Sequence, residues 1–319
     1  MTRMNKIAII GIGNWGKNLV RDFSKISDIK KCTSNGSIHN IKWLKKNYPS
    51  IDYVNNYKEI FNDEEIDAVV ISTPIKTHYR LVKKALLSKK HVFVEKPLCS
   101  KISEAKELIQ IAKKNNLFLF VGHIFLFNEV LKKIIQISKK EKIMYIEFNW
   151  NKFGSFDEDI FLNLLSHDMS IILKLFGKPK KINLQSSFGF ISKCDIVTLN
   201  VKLPQNQNCQ IYVNRYSSEK QKIVKIFTEK NVYLWNDLKL YKNNKKSSNF
   251  KLIYESKLTP LEIESKFFMG ELNLLSFVRQ SNPDYDYVHP IFVPKWTFWE
   301  KSEQSFIEDS EVRKNDINQ

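Results

Sequence analysis

The stretch KIAIIGIGNWG, residues 6–16, decides the fold of this chain. It begins with an apolar run of strand length and continues into glycines spaced as G-x-G-x-x-G. Between a strand and a helix, Gly11 would permit a tight turn, Gly13 would let a pyrophosphate approach the backbone, and Gly16 would let the helix pack on the strand. The helix N-terminus then binds the phosphates. The predicted cofactor contacts in this turn are Gly11, Gly13, Asn14, Trp15 and Gly16.

The first 122 residues alternate between short apolar runs and stretches of helical periodicity, which predicts a parallel sheet with helices on both faces. Runs such as AVVI (68–71) are continuously apolar, as expected for strands that are buried on both sides. The predicted strands are Lys6–Ile10, Ile29–Cys32, Ile51–Val54, Ala68–Ile71, His91–Val94 and Leu117–Val121. The predicted helices are Trp15–Ser27, Thr77–Ser88 and Ser103–Asn115. We therefore expect a doubly wound dinucleotide-binding domain over residues 1–122.

The pattern changes after Asn128, where several strands follow one another without helices between residues 181 and 254. Such a succession predicts an open, mainly antiparallel sheet. The remaining predicted elements are a strand at Ile143–Trp150 and helices at Glu129–Lys139, Asp159–Phe176, Leu261–Ser281 and Phe292–Phe306. We expect residues 123–319 to form an α+β domain for substrate binding and for assembly into a dimer or tetramer, because an uncovered sheet face favours association.

Composition excludes several classes of protein. The net charge is +17, but only six of the 51 basic residues are Arg and the lysines are scattered, which argues against nucleic-acid binding. A positive surface suits anionic small molecules, including nucleotide-linked sugars. No apolar run approaches the roughly 20 residues of a membrane helix, and no signal peptide is recognisable. Four separated cysteines and six histidines without metal-ligand spacing predict a cytoplasmic protein with reduced thiols and no metal.

The end of the second strand leaves the choice of cofactor open between NAD and NADP. An acidic residue is expected there to bind the ribose hydroxyls of NAD. The sequence instead has Thr33 and Ser34, whose hydroxyls suit either a ribose or a 2′-phosphate, with Lys31 nearby. No Arg is present to favour the phosphate of NADP.

Further motifs follow the later strands, and together with the glycine turn they resemble the Gfo/Idh/MocA family, named for glucose–fructose oxidoreductase and inositol dehydrogenase. These motifs are Ser72-Thr73-Pro74 with His78, Glu95-Lys96-Pro97, Gly122-His123, Asn163 with His167-Asp168, the segment PLEIESKFF (260–268) and a last helix ending at Ser302–Ser305. The stretches GNWGKNLVR and GHIFLFN resemble members that act on nucleotide-linked or surface-polysaccharide sugars.

The resemblance implies a role for each matching residue. It places Lys96 beside the nicotinamide and the reacting hydroxyl, and Glu95 on the cofactor ribose, with the peptide bond to Pro97 often cis. It makes His167 an acid/base. The loop that it places at the nicotinamide end of the cofactor contains Thr73, Pro74 and His78. His123 closes the sixth strand, where substrate contact and a structural role are equally supported.

The chemistry of alcohol oxidation agrees with these roles, since a hydride and a hydroxyl proton must both leave the substrate. A His can accept the proton at neutral pH, and a cationic Lys stabilises the developing alkoxide. Asn163 lies four residues before His167 and is expected on the same helix face, in contact with substrate. The family usually has Asp at this position, whereas Asn can hydrogen-bond to the His but supplies no negative charge to stabilise its protonated form. Asp168 points about 100° away around an α-helix.

We therefore predict an NAD(P)-dependent sugar dehydrogenase or ketosugar reductase, acting on a nucleotide-linked sugar in polysaccharide or glycoconjugate biosynthesis. The alternative from another class is a dinucleotide-binding sensor or assembly protein without redox turnover, which Asn163 supports. A basic nucleic-acid-associated protein is the remaining alternative.

Overall fold

The computed structural model describes residues 5–244 and 249–281, with side chains up to residue 274 in the last helix. The predicted helix Phe292–Phe306 and the Ser302–Ser305 segment lie outside these residues. Within the described part, the chain divides into two compact units. The first contains the residues up to Phe127 and the segment that starts at Pro260, and the second contains Asn128–Thr259. No helix among the described residues is long and apolar enough to cross a membrane.

The first unit has a six-stranded parallel sheet with strand order β3-β2-β1-β4-β5-β6. This is the doubly wound order of dinucleotide-binding folds, with its switch point at β1, and it confirms the predicted fold class. The strands are β1 Lys6–Ile10, β2 Asp28–Thr33, β3 Asp52–Tyr53, β4 Ala68–Ile71, β5 His91–Glu95 and β6 Leu119–Gly122. The helices between them are α1 Asn14–Phe23, α2 Ile38–Asn47, α3 Lys58–Phe61, α4 His78–Leu87 and α5 Ile102–Lys114.

Both faces of this sheet are buried, which explains the continuous apolar runs. Alternate residues of each strand point to opposite faces. Val69 and Val94 face one core together with residues of α4 and α5, such as Leu81 and Leu108. The other core contains the intervening strand residues together with α1, and its members include Ile9, Leu19, Val70, Phe93 and Phe120.

The second unit has an eight-stranded sheet with strand order β14-β13-β12-β11-β7-β10-β9-β8. Its pairs are antiparallel except β7 with β10, so the mainly antiparallel prediction is confirmed. The strands are β7 Ile143–Asn151, β8 Lys181–Phe188, β9 Ile196–Lys202, β10 Asn208–Asn214, β11 Gln221–Thr228, β12 Asn231–Asn236, β13 Lys239–Asn244 and β14 Lys251–Glu255. The helices are α6 Glu129–Ser138 and α7 Ser166–Phe176. The helix predicted from Asp159 instead begins as a π-helix over Phe161–Leu165.

The last described helix, α8 (Pro260–Ser281), belongs to the first unit. Its residues Leu261, Phe268 and Leu272 are buried in the core formed by Phe93 and Phe118. This differs from the sequence-based division at residues 122 and 123, which assigned the helix to the second domain. The periodicity of α8 predicted its apolar stripe, but an apolar stripe does not specify which sheet it covers.

Candidate active site

The glycine turn has a separate geometric constraint at each glycine. Gly11 has a φ of +102°, and a Cβ there would lie 2.4 Å from the Ser72 carbonyl oxygen. A Cβ on Gly16 would lie 1.8 Å from the Gly11 carbonyl oxygen, so α1 approaches the turn too closely for any side chain. A Cβ on Gly13 would meet no atom within 4 Å. The backbone at Gly13 therefore faces open space at the start of α1, where N–H groups without helical partners can bind a pyrophosphate.

The end of β2 has no carboxylate side chain, although dinucleotide-binding folds usually bind the ribose of NAD at this position. Thr33 is buried at 3% exposure, and its carbonyl accepts a hydrogen bond from the Gly11 N–H. The Ser34 hydroxyl is only half-buried and lies 3.3 Å from the Tyr53 hydroxyl. The Lys31 ammonium forms a 2.7 Å ion pair with Asp63, so its charge is already compensated. Of the predicted pair, Ser34 is therefore better placed than Thr33 to meet a ligand.

The loops after β4 and β5 are joined by the buried ring of His78. Its Nε2 lies 2.7 Å from the Thr73 carbonyl oxygen, and its Nδ1 lies 2.8 Å from the Pro97 carbonyl oxygen. The Lys96–Pro97 peptide bond is cis. His78 was predicted to line the nicotinamide end, but its side chain is 1% exposed and contacts backbone. We infer that it acts on a cofactor indirectly, by fixing the two loops that carry Thr73 and Lys96.

Glu95, the last residue of β5, forms a hydrogen bond with the glycine turn. The Trp15 indole N–H donates a 2.6 Å hydrogen bond to Glu95 Oε1, a contact that the sequence analysis missed because the two residues are 80 positions apart. Burial raises the pKa of Glu95 to about 7, although the Trp15 hydrogen bond and the Lys96 charge lower it. Gly122 pairs with Glu95 across β5 and β6, and a Cβ there would lie 3.0 Å from the Phe93 ring.

His123 and Lys96 differ in exposure. Lys96 is half-buried at the carboxyl end of β5, whereas His123 is 1% exposed. Burial, with a further contribution from the Lys96 charge, lowers the pKa of His123 to about 3, so its ring is neutral at neutral pH. Of the two roles weighed for His123, this environment favours the structural one.

In the second unit, Asn163 and His167 are both buried, at 9% and 7% exposure. Asn163 lies in the π-helix and His167 in the first turn of α7. The expected shared face assumed an α-helical repeat throughout, but a π-helix bonds residue i to i+5 and its turn is wider. The His167 ring packs against Trp150 of β7, with ring centroids 5.4 Å apart.

An ion pair that the sequence analysis did not predict lies beside His167. The Lys222 ammonium of β11 is 2.8 Å from Asp168 Oδ1 and 3.7 Å from the centroid of the Trp150 ring. The Asp168 side chain is fully buried and the Lys222 side chain is 14% exposed. The strand pattern contained a signal, because Lys222 shares its face of β11 with the buried Val224 and Ile226.

Comparison with known proteins agrees with this architecture. Residues 5–123 match the family model described as an oxidoreductase family with an NAD-binding Rossmann fold. An uncharacterized oxidoreductase, YrbE of Bacillus subtilis, is 33% identical over 146 residues, which is 45% of this chain and 42% of YrbE. The chain thus matches less than half the length of this relative.

Two further comparisons extend into the second unit. A UDP-N-acetylglucosamine 3-dehydrogenase of Acidithiobacillus ferrooxidans is 24% identical over 230 residues, 70% of this chain and 71% of that protein. A solved structure of the same enzyme superposes with a TM-score of 0.76 at 21% identity, covering 86% of this chain and 90% of the other. This structural likeness establishes the fold alone. The family resemblance seen in the motifs is confirmed over the first unit, where residues 5–123 match the Gfo/Idh/MocA model of oxidoreductases with an NAD-binding Rossmann fold.

Proposed function

We propose that the protein transfers a hydride between the nicotinamide of NAD or NADP and a secondary alcohol or ketone of a sugar. The observation that carries this proposal is the set of residues at the carboxyl ends of the strands of the first sheet. The open backbone at Gly13 follows β1, the loop with Thr73 follows β4, and Glu95 and Lys96 stand at the end of β5. Ligands of doubly wound sheets bind at this edge, beside the switch point. When bound, the nicotinamide accepts or supplies the hydride.

The substrate that we propose is a nucleotide-linked sugar used in polysaccharide or glycoconjugate biosynthesis. The 24% identity over 230 residues to a UDP-N-acetylglucosamine 3-dehydrogenase supports this class. The net charge of +17 is suited to a substrate that carries a pyrophosphate. We place the reaction in the cytoplasm, where cysteines stay reduced, and Cys32, Cys99, Cys194 and Cys209 are all free.

Two residues are proposed for the proton step. Lys96 is the cation that stabilises negative charge on the substrate oxygen, and burial of such a group strengthens the electrostatic effect. His167 is the acid/base, with its ring held against Trp150. Asn163 takes the place of the usual carboxylate and is proposed to bind substrate through its amide. Because Asn163 carries no negative charge, we expect His167 to be a weaker base than the equivalent His of a typical family member.

The test is a panel of UDP-, GDP- and dTDP-linked sugars incubated with the full chain and either NAD or NADP, followed by the absorbance of the reduced cofactor. Ketosugars with NADH or NADPH test the reverse direction. The Gly13→Val protein is the control, because it lacks the space for a pyrophosphate. Turnover of at least one substrate by the wild type and not by the control supports the proposal.

A second candidate is a dinucleotide-binding protein without turnover, and Asn163 is the specific observation in its favour. This candidate predicts saturable binding of NAD or NADP by calorimetry, with no change in cofactor absorbance for any sugar in the panel. Turnover that depends on Lys96 excludes it.

We also propose that the chain forms a homo-oligomer, either a dimer or a tetramer. The support is a group of apolar side chains on the second unit that are more than half exposed, namely Phe153, Phe188, Phe190 and Ile191. Exposed apolar patches of this kind usually serve association. Light scattering at micromolar concentration that gave the monomer mass of 37.6 kDa would contradict the proposal.

A further inference from the structure

Two acidic residues, Glu95 of β5 and Glu264 of α8, follow the aromatic core of the first unit toward the carboxyl ends of the strands. Phe93 of β5 packs edge-on against Phe268 of α8, with centroids 5.5 Å apart. Glu95 follows Phe93 by two positions and so faces the same side of the sheet. Glu264 precedes Phe268 by four positions and so lies on the same face of the helix. Glu264 and Glu95 therefore lie on the facing surfaces of α8 and β5, close enough for the charge of Glu95 to act on Glu264.

Glu264 is 0% exposed and lies on the apolar stripe of α8, between Leu261 and Phe268. Neither oxygen of its carboxyl group has a hydrogen-bond partner within the described part of the chain. An ionised carboxylate without partners is very costly in such a place, whereas a protonated carboxyl group is neutral and can itself donate a hydrogen bond. Burial, together with the negative charge of Glu95, raises the pKa of Glu264 well above its usual range. Glu264 therefore holds a proton more tightly than an exposed glutamate does.

Of the charged groups around Glu264, Glu95 is the one whose charge acts on it directly. The nearby cation is Lys96, and the nearby His123 ring is neutral. On the outer side of α8, Glu262 forms an ion pair with Lys25, which also pairs with Asp22 of α1. Arg21 pairs with the same Asp22. The indole of Trp15, also on α1, donates to Glu95 without titrating.

We propose that Glu264 and Glu95 share one proton, and that binding of the oxidised cofactor at the proposed dinucleotide site drives that proton out. The inference rests on the proposed function. In doubly wound folds the residue at the end of the second strand binds the adenosine ribose, so the residues after β4 and β5 would hold the nicotinamide half of a dinucleotide. Glu95 stands at the end of β5.

The oxidised nicotinamide ring carries a positive charge and the reduced ring carries none. A positive charge near Glu95 favours the fully ionised acid pair, so NAD⁺ releases the shared proton and NADH leaves it in place. Glu264 is thus a positioning residue that acts through the shared proton of the acid pair on the preference for one oxidation state. The affinity for NAD⁺ relative to NADH rises with pH, because only NAD⁺ binding releases the proton.

Calorimetry of the full chain with NAD⁺ and with NADH, in buffers of different ionisation enthalpy between pH 6.5 and 8.5, counts the protons released. We expect the wild type to release a substantial fraction of one proton with NAD⁺ near pH 7.5 and much less with NADH. Its NAD⁺/NADH affinity ratio should rise about threefold or more across this range. Glu264→Gln keeps the size of the side chain but leaves Glu95 as a single acid, so there is no longer a pair that shares a proton. Proton release by this variant should therefore be well below that of the wild type.

Glu262→Gln is the matched control, two residues away on α8 and outside the acid pair, and it should behave as the wild type. Equal proton release by Glu264→Gln and the wild type overturns the proposal. A second measurement needs no cofactor: the infrared carbonyl stretch of a protonated carboxyl group near pH 7.5 should be present in the wild type and lost in Glu264→Gln. If that band persists, Glu264 does not hold the proton. If the band behaves as expected but neither dinucleotide binds, the acid pair stands, while the proposed function and the coupling to it are both wrong.

Discussion

Asp168 and Lys222 form a 2.8 Å ion pair between helix α7 and strand β11 of the second unit, and the Lys222 ammonium also lies over the ring of Trp150. Burial raises the pKa of Asp168 and lowers that of Lys222, and the attraction between the two charges opposes both shifts. The same Trp150 ring packs against His167, which directly precedes Asp168. The ion pair therefore fixes the helix turn that carries the proposed acid/base.

Lys222→Met should destabilise the protein by about 3–5 kcal/mol, because it leaves the Asp168 carboxylate buried without its cation. Urea unfolding of the full chain measures this loss. The double variant Asp168→Asn with Lys222→Met should recover a large part of it, since no uncompensated charge then remains.

Lys225→Met is the matched control on the same strand. Lys225 is 46% exposed and its 3.9 Å ion pair with Glu147 is open to water, so its loss should cost less than about 1 kcal/mol. Equal costs for the two lysine variants would show that the buried pair has no special role in stability.

The sequence predicted those features that depend on local patterns. The glycine spacing, the apolar runs and the alternation of strands gave the two sheets, because each pattern acts within about ten residues. Contacts between distant segments could not be predicted from the sequence, and the hydrogen bond between Trp15 and Glu95 is an example. Glu264 and Lys222 were overlooked although each stands on an otherwise apolar face of its element. A charged residue on such a face is a usable signal, but its partner is known only once the chain has folded.

Asp195→Asn should destabilise the second unit by about 3 kcal/mol at neutral pH. The carboxylate accepts hydrogen bonds from the backbone N–H groups of three consecutive residues and pairs with Arg215 at 3.1 Å; the three donors are Phe190, Ile191 and Ser192. Burial alone would raise the pKa of Asp195, but the hydrogen bond donated by the Ser192 hydroxyl, together with these backbone hydrogen bonds, outweighs burial and holds the pKa below its usual range.

The sign of the pH dependence follows from this lowered pKa. A carboxyl group whose pKa is lower in the folded state stabilises the protein above its unfolded pKa and loses that contribution as the pH falls. The difference in free energy of unfolding between wild type and Asp195→Asn should therefore be largest above about pH 5 and shrink below about pH 4. Denaturant unfolding at pH 7 and pH 3.5 measures it, and a difference that grew at acid pH would refute this account.

Gly13→Val should lower dinucleotide affinity at least about tenfold while the fold persists. A Cβ at this position meets no protein atom within 4 Å, so we expect the substitution to affect the ligand and not the packing. Calorimetric titration with NAD and NADP gives the affinity, and circular dichroism checks the fold. Gly270→Ala also points into open space, but on α8, and should leave affinity unchanged. Undiminished affinity in Gly13→Val would remove the glycine turn from the cofactor site.

Ser34→Asp should shift the cofactor preference toward NAD, because its carboxylate repels the 2′-phosphate of NADP. The wild type should bind both cofactors with a modest preference. Thr33→Asp is the less informative variant, since Thr33 is 3% exposed and a buried carboxylate there would destabilise the strand. The ratio of the NAD and NADP dissociation constants is the measurement. A wild-type preference for NAD above about a thousandfold would mean that the missing carboxylate at the end of β2 is replaced by another determinant.

Lys96→Ala should reduce turnover at least about a hundredfold on a verified substrate, with little change in dinucleotide affinity, because it removes the cation that we propose to stabilise the alkoxide. His167→Ala should cost less, since Asn163 supplies no negative charge to poise the imidazole. Asn163→Asp should then raise the pKa of His167 by charge attraction and move the pH–rate profile to higher pH.

Lys101→Ala is a suitable control for Lys96→Ala. Lys101 is an exposed lysine five residues further along the chain, and its ion pair with Glu104 is long, at 3.9 Å. Lys96→Ala protein that kept more than half of the wild-type turnover would show that the lysine does not stabilise the reacting oxygen. Loss of turnover together with loss of dinucleotide affinity would instead make Lys96 a cofactor-binding residue, and His167 would then be left as the remaining candidate for the proton step.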